Sequence, residues 1–137
     1  MIMPFRFFGL FLLVVTLSAH AAPGYNNLDN EQLKIMLAQG VPIYDIRRAE
    51  EWRQTGVVEG SRLLTFVDAT GRVKPDFLAR FTSAAGKNDP VILICRTGNR
   101  TSTLARHLVE QMGYTQVYNV FNGIFGWISD GQPVTRL

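Results

Sequence analysis

Apolar residues recur with the period of a helix in some segments of the chain and form short continuous runs in others. The helical segments end at glycines and comprise residues 31–40, 49–56, 75–86 and 101–113, with a last short helix within residues 123–134. The runs typical of strands comprise residues 41–46, 91–94 and 116–120, with a shorter strand within residues 57–66. Because the two kinds of segment alternate, we predict a single α/β domain around a mainly parallel sheet.

The run from Val91 to Ile94 (VILI) is apolar at every position, which is typical of a central parallel strand with both faces covered. The only cysteine of the chain, Cys95, follows this run directly. In open α/β folds the ligand sites lie at the carboxyl ends of the parallel strands. Cys95 is therefore predicted to lie where such a fold places its functional residues, ahead of a helix that begins near Thr101.

The first residues of the chain form a segment of a different kind. Arg6 precedes an uninterrupted apolar stretch, Phe7 to Ser18, and Ala19 and Ala21 then supply the small residues that a secretory peptidase reads. The stretch is shorter than the roughly 20 residues that span a membrane. We predict that residues 1–21 are a cleavable signal peptide and that the protein is periplasmic or secreted. An uncleaved N-terminal anchor is the alternative.

Cleavage would leave a mature chain with a flexible terminus at residues 22–27 and one folded domain at residues 28–137. The full chain carries 14 Lys and Arg against 11 Asp and Glu, and loss of Arg6 with the signal peptide leaves a net charge of +2. The basic residues are scattered instead of forming the continuous face that nucleic acids require. We therefore expect no nucleic-acid partner. We also expect no stable membrane insertion after cleavage, and a monomer.

A single cysteine in an exported protein is informative because it has no partner for an internal disulfide. Cys95 is either a small buried hydrophobic residue or a reactive thiol. Gly98 can take backbone angles that point successive amides inward, and the helix that begins near Thr101 adds the positive end of its dipole. Arg96 and Arg100 add positive charge. Because all these features stabilise a thiolate, we predict that Cys95 is a nucleophile that is open to solvent.

Three segments of the chain resemble the signatures of the rhodanese family of sulfurtransferases. CRTGNR (residues 95–100) resembles the active-site loop of the family. IYDIRRAEEWRQTGVVEGSRLL (residues 43–64) resembles its first signature, in which an Asp-x-Arg precedes an acidic helix and a glycine turn. VYNVFNGIFGWISDGQPV (residues 117–134) resembles its closing signature, in which a glycine precedes a tryptophan and a Gly-x-Pro-Val tail. The resemblance covers residues 28–134, with the three signatures in the expected order.

The resemblance implies a five-stranded, mainly parallel sheet and sulfur transfer through a persulfide on Cys95. In this chemistry the thiolate takes the outer sulfur of a small anionic donor such as thiosulfate, and sulfite leaves. Cyanide or a thiol then removes the sulfur in the second half of a ping-pong cycle. The resemblance implies no metal and no cofactor. It assigns substrate binding to the rest of the loop and the start of the helix, namely Arg96, Thr97, Gly98, Asn99, Arg100 and Thr101.

Other functions stay open beside that of a thiosulfate sulfurtransferase. A persulfide carrier that receives sulfur from a protein partner would show an apolar docking patch beside the loop, whereas the two arginines favour a small anionic donor. A phosphatase of similar fold has five residues between its cysteine and its arginine. Four residues separate Cys95 from Arg100, and this shorter loop suits one sulfur atom better than a phosphate. An oxidant sensor would form a stable sulfenate at Cys95.

The remaining polar residues near the signatures are predicted to be structural. Arg47 is expected to pair with Glu50 or Glu51. His107 lies twelve positions beyond Cys95, about three helical turns away, and is too far to act as its base. The sequence therefore favours neither a Cys-His protease nor a metal site, which would need several ligands.

Overall fold

The computed structural model describes residues 24–137, in which strands and helices alternate along the chain. The strands are β1 (Asn26–Leu28), β2 (Ile43–Asp45), β3 (Arg62–Leu63), β4 (Val91–Ile94) and β5 (Val117–Val120). The helices are α1 (Asn30–Ala38), α2 (Ala49–Thr55), α3 (Phe77–Ala84), α4 (Asn99–Met112) and α5 (Gly123–Ser129). Within residues 24–137, no helix has the length and apolar character needed to cross a membrane. The predicted signal peptide, residues 1–21, lies outside the described residues.

All five strands run parallel in one sheet, in the order β1-β5-β4-β2-β3. The predicted fold class is therefore confirmed as an α/β domain with a five-stranded parallel sheet. β4 lies at the centre of the sheet, and all four of its residues are buried, as its apolar sequence predicts.

Helices cover both faces of the sheet. On one face, α3 and α4 bury Phe81 and Leu104 in a hydrophobic cluster that also contains Cys95. On the other face, α1 and α5 bury Leu33 and Trp127 in a second cluster. The central strand contributes alternate residues to the two clusters, so the core lies on both sides of the strand that leads to the cysteine.

Two helix starts show how local sequence sets the ends of elements. α1 follows Asp29, whose carboxylate accepts the Gln32 amide at 2.8 Å, while the Gln32 side chain accepts the Asp29 amide at 2.9 Å. This capping box makes Asp29 the N-cap of α1. α4 begins at Asn99, two residues before the predicted start at Thr101, because Gly98 already occupies the N-cap position.

The amino-terminal edge of the domain differs from the sequence prediction. The predicted flexible terminus, residues 22–27, is wrong for Asn26 and Asn27, which belong to β1 and pair with Tyr118 and Asn119 of β5. Asparagine has little preference for strands. β1 forms because β5 offers it backbone hydrogen bonds, which is a tertiary effect that the local sequence does not reveal.

Candidate active site

Cys95 directly follows β4 and lies at the carboxyl edge of the sheet, as the sequence predicts. β2 lies on one side of β4 and β5 on the other, so residues from both strands flank the segment that Cys95 begins. We refer to residues 95–100 as the Cys95 loop.

Gly98 sets the shape of the Cys95 loop. Its φ of 95° lies in the left-handed region that favours glycine. A Cβ at this position would also collide with the carbonyl oxygen of Phe121, just beyond β5. The loop can therefore turn over the edge of the sheet only because residue 98 is glycine.

The start of α5 fixes the other side of the loop. The Ile124 amide donates to the Cys95 carbonyl at 2.9 Å, and the Phe125 amide donates to the Arg96 carbonyl at 3.1 Å. Gly123 permits this approach, because a Cβ there would collide with the Arg96 carbonyl. Since peptide groups are trans, the amides that follow these two carbonyls point away from α5.

Two groups contact the sulfur of Cys95. The Gly98 amide donates to Sγ over 3.2 Å, and Thr101 Oγ1 lies 3.3 Å from Sγ. Thr101 has no exposed surface, so its hydroxyl can bond only to protein groups or to a molecule that enters the loop. Of the successive inward-facing amides expected from the sequence, one, that of Gly98, donates to the sulfur, and the Thr101 hydroxyl also touches it.

Thr101 also links the sulfur to two asparagines. Its Oγ1 lies 2.5 Å from Asn119 Oδ1 and 3.1 Å from the Gly98 carbonyl, and the Asn119 side-chain amide donates to Asn27 Oδ1 at 3.0 Å. A hydroxyl has one proton, so Thr101 donates to one acceptor at a time. When it donates to Asn119, its oxygen can accept from a Cys95 thiol, and when it donates to Sγ it stabilises a thiolate. The sulfur can therefore change its protonation state without losing a partner.

Several backbone amides of the loop and of the first turn of α4 are free to bind an anion. Among the described residues, the backbone amides of Thr97, Asn99, Arg100 and Thr101 donate to no protein acceptor. Three of these residues form the first turn of α4, where free amides make the positive end of the helix. Negative charge on Cys95, or on a group attached to it, is favoured by this arrangement.

Cys95 is covered by the protein, and the expectation that its thiol is open to solvent is wrong. Only 1% of the residue is exposed, and its side chain belongs to the hydrophobic cluster beneath α3 and α4. The cover follows from the two bonds to α5 that hold the loop down over the edge of the sheet.

Arg100 pairs with Glu51 of α2. Its two terminal nitrogens donate to the two carboxylate oxygens, each at 2.7 Å. The hydrogen bonds with Glu51 raise the pKa of Arg100, although burial opposes this, and negative charge at Glu51 and Cys95 adds to the effect. The guanidinium group of Arg100 therefore lies at the side of the loop, and a carboxylate balances its charge.

Glu51 is ionised in this arrangement. Burial of the carboxyl group opposes ionisation and is the largest single influence. Hydrogen bonds from Arg100 and from the Arg48 amide, with the charges of both arginines, together outweigh burial and lower the pKa of Glu51 from 4.5 to about 2.

Arg47 pairs with Asp45, and the expected pairing with Glu50 or Glu51 is wrong. Its guanidinium group donates to the two carboxylate oxygens of Asp45 at 2.9 and 2.7 Å, and both side chains are almost completely buried. Another nitrogen donates to Thr55 Oγ1 at 2.9 Å. The pair therefore ties the end of β2 to the end of α2, and the acidic first turn of α2 faces the Cys95 loop instead.

Arg96, Thr97 and Asn99 lie on the outside of the loop with exposed side chains. Gly98 and Thr101 lie on the inside, where they contact the sulfur. The six predicted substrate-binding residues thus divide into an outer group, an inner group, and Arg100 at the side.

An open cleft of about 650 Å³ adjoins the loop. Its lining includes three cations, Arg48, Arg96 and Arg100, and two carboxylates, Glu51 and Asp68. The local excess of positive charge suits a small anion that approaches the cysteine.

Sequence reasoning missed residues of other elements that surround the loop. Glu51 and Phe121 carry no sequence signal that distinguishes them from ordinary surface residues. Asn119 does carry one, because it is the polar residue in an otherwise apolar strand (VYNV) and is only 2% exposed. A buried polar residue requires a hydrogen-bond partner, and here the partner is Thr101.

The fold and the loop together define a class of protein, a single α/β domain in which a cysteine begins an amide-rich loop at the carboxyl end of the central strand. The family model described as the rhodanese-like domain matches residues 29–130. The chain therefore belongs to the rhodanese-like domain family, and the resemblance noted in its sequence is confirmed.

Known relatives include proteins named for sulfur transfer. The chain is 31% identical over 101 residues to thiosulfate sulfurtransferase 16, chloroplastic, of Arabidopsis thaliana, covering 72% of this chain and 82% of that protein. It is 28% identical over 113 residues to thiosulfate sulfurtransferase 18 of the same plant, covering 79% and 82%. Among solved structures, that of Rv0390 from M. tuberculosis matches with a TM-score of 0.67 and 27% identity, covering 80% of this chain and 97% of that one.

Proposed function

We propose that the protein is a thiosulfate sulfurtransferase that works through a persulfide on Cys95. The observation that supports this most is the contact of the Gly98 amide and the Thr101 hydroxyl with Sγ, beside helix amides that have no protein acceptor. Such donors stabilise negative charge on the sulfur before the reaction and on the outer sulfur of a persulfide after it. The two relatives named as thiosulfate sulfurtransferases add support.

In the first half of the cycle, the Cys95 thiolate attacks the outer sulfur of thiosulfate. A bond forms between these two sulfur atoms, the sulfur–sulfur bond of thiosulfate breaks, and sulfite leaves with the electron pair. Cys95 then carries a persulfide anion. The exposed Arg96 attracts the dianionic donor, and the positive excess in the cleft favours the charge on the leaving sulfite.

In the second half, an acceptor (cyanide or a thiol) attacks the outer sulfur of the persulfide. The bond between Sγ and that sulfur breaks, and Cys95 leaves as a thiolate. Donor and acceptor therefore react one after the other at the side chain of Cys95, in a ping-pong cycle. Thr101 suits both halves, because its hydroxyl can donate to a charged sulfur or accept from a protonated one.

The burial of Cys95 favours this cycle over an oxidant sensor. Sensor cysteines are accessible to solvent, whereas Cys95 is 1% exposed. A thiol that the protein covers in this way has limited contact with oxidants in solution.

A persulfide carrier is the second candidate, and one observation favours it. Phe121 and Phe125 lie next to the loop and are 58% and 62% exposed, which is the apolar patch expected of a carrier. A carrier would receive sulfur once from a partner protein, whereas an enzyme turns over with free thiosulfate.

The mass of the intact protein after incubation with thiosulfate tests the proposal. We expect the protein to gain one sulfur atom, and the Cys95→Ser variant to gain none. With cyanide present, we expect thiocyanate to accumulate over many turnovers. A wild-type protein that gains no sulfur from thiosulfate would overturn the proposed sulfurtransferase activity. Loading with sulfur but without repeated turnover would show that the protein is a carrier.

We also propose that residues 1–21 are removed on export, so that the mature protein works in the periplasm or outside the cell. The same mass spectra measure this, because a protein secreted by a bacterial host should have the mass of a chain that begins at Ala22. A secreted or membrane-bound product that still begins at Met1 would contradict the proposal.

A further inference from the structure

Exposed apolar side chains concentrate beside the Cys95 loop. Among residues 24–137, the large apolar residues with exposed side chains are Ile35, Val73, Phe121, Phe125, Ile128 and Leu137. Four of them, all except Ile35 and Leu137, line openings that also contain residues of the loop. Soluble domains rarely leave such a group uncovered at one place unless it contacts another molecule.

Three of these residues lie on both sides of the loop. Phe125 and Ile128, one turn apart on α5, line a cavity of about 420 Å³ together with Arg96. Phe121 lines an opening of about 280 Å³ together with Thr97. We call Phe121, Phe125 and Ile128 the apolar rim. The hydrogen bond from the Phe125 amide to the Arg96 carbonyl keeps this rim and the loop in a fixed relation.

One positive charge at the centre of this surface has no partner. Arg96 is exposed and forms no ion pair within the described part of the chain, whereas Glu51 binds Arg100 and Glu50 binds Arg48. Exposed aromatic side chains around an arginine are the composition typical of the centre of a protein–protein interface. The complementary surface is therefore apolar and carries a carboxylate.

We propose that the apolar rim and Arg96 dock a protein partner that presents a cysteine between apolar side chains, with a carboxylate placed for Arg96, and that this cysteine accepts the sulfur. The proposal rests on the proposed function for the persulfide on Cys95. A second copy of this chain does not fit, because a symmetric contact through the rim would bring two Arg96 side chains together.

The transfer conserves atoms and charge. The partner's thiolate attacks the outer sulfur of the Cys95 persulfide, a bond forms between the partner's sulfur and the outer sulfur, and the bond to Sγ breaks. The electron pair stays with Cys95, which leaves as a thiolate, and the partner then carries the persulfide. No other oxidant or reductant takes part.

The test measures single-turnover transfer from the persulfide to synthetic acceptors. The full chain is expressed, and the purified protein is loaded either with thiosulfate or, independently, with inorganic polysulfide. The acceptors are the peptide acetyl-Glu-Leu-Cys-Leu-Glu-amide, one version with Lys for Glu, another with Ser for Leu, and 2-mercaptoethanol. We expect the first peptide to react about tenfold faster per thiolate than either altered peptide.

Matched variants connect the rate to the rim. Phe125→Ser should slow transfer to the first peptide about tenfold, which is the scale expected when one phenylalanine side chain loses its contacts. Phe125→Leu should retain most of the rate, because leucine keeps an apolar contact. Ile35→Ser is the control, because Ile35 is almost as exposed as Phe125 but belongs to α1 and lines none of the openings beside the loop. Since Phe125 is a surface residue, all variants should load with sulfur and react with 2-mercaptoethanol as the wild type does.

Each other outcome has a definite meaning. Equal rates for the three peptides, or an equal loss with 2-mercaptoethanol in Phe125→Ser, would overturn the docking surface. A dimer in sedimentation that Phe125→Ser dissociates would also overturn it, by showing that a second copy covers the rim. Loading by polysulfide but not by thiosulfate would overturn the proposed donor alone, and loading by neither would overturn both proposals.

Discussion

Two arginine–carboxylate pairs flank the Cys95 loop, and they differ in burial and in the separation of their partners along the chain. Arg47 and Asp45 are two residues apart, and their side chains are 1% and 0% exposed. Arg100 and Glu51 are 49 residues apart, and their side chains are 24% and 14% exposed. The first pair is enclosed at the end of β2, and the second lines the open cleft.

This difference in burial predicts a difference in role. If a buried pair loses one partner, the other is left as an uncompensated charge away from water, which is costly. If a partly exposed pair loses one partner, water and ions replace much of what is lost. We therefore expect the Arg47–Asp45 pair to control stability and the Arg100–Glu51 pair to control the charge that a donor meets.

The largest expected effect is that of Arg47→Met on stability. The variant keeps a long apolar side chain but leaves the Asp45 carboxylate buried without its partner. We expect the free energy of unfolding, measured by urea titration, to fall by about 3–5 kcal/mol. The double variant Asp45→Asn/Arg47→Met should lose less, because no buried charge is left unpaired. If the single variant were as stable as the wild type, the comparison between the two pairs would fail.

A smaller effect is expected of Glu51→Gln, and it should appear in substrate binding. The substitution removes the negative charge that balances Arg100, so the cleft becomes more positive. We expect KM for thiosulfate to fall roughly threefold, which corresponds to less than about 1 kcal/mol, with little change in kcat.

Glu50→Gln provides the matched control for this measurement. Glu50 lies on the same helix and also pairs with an arginine, Arg48, but it does not contact Arg100. Glu50→Gln should change KM much less, because Arg48 still has the Glu51 carboxylate 3.9 Å away. Added salt should remove the effect of Glu51→Gln because salt screens exposed charges. An equal fall of KM in both variants would show that total charge matters and the pairing of Arg100 does not.

The local features of the site could be predicted from the sequence. The apolar run Val91–Ile94, with Cys95 directly after it, was enough to place the cysteine at the edge of a parallel sheet. Gly98 indicated that the loop turns at this position, because glycine readily adopts the left-handed backbone angles that the turn requires. These features depend on residues close together in the chain, where local sequence and local structure correspond.

Features that depend on distant partners were not predictable in this way. Which carboxylate pairs with which arginine is decided by how α2 lies against the loop, so the pairing of Glu51 with Arg47 that the sequence suggests is wrong. The burial of Cys95 follows from bonds between the loop and α5, and β1 follows from pairing with β5. In each case the sequence contained both partners but gave no signal of their contact.

The smallest expected effect is the pH dependence of the Arg100–Glu51 pair, which tests whether the pair acts through charge. The pKa of Glu51 is about 2 in the folded protein, against an ordinary value of 4.5. Because the folded pKa is the lower one, the pair's contribution to stability is complete above the ordinary value and is lost as the pH falls toward 2. The difference in unfolding free energy between the wild type and Glu51→Gln should therefore be largest near pH 5 and shrink on acidification, by less than about 1 kcal/mol in total.

Urea titrations at several pH values measure this difference. A difference that stayed constant with pH would mean that Glu51 acts through packing alone, and Arg100 would then have to be counted among the free cations of the cleft.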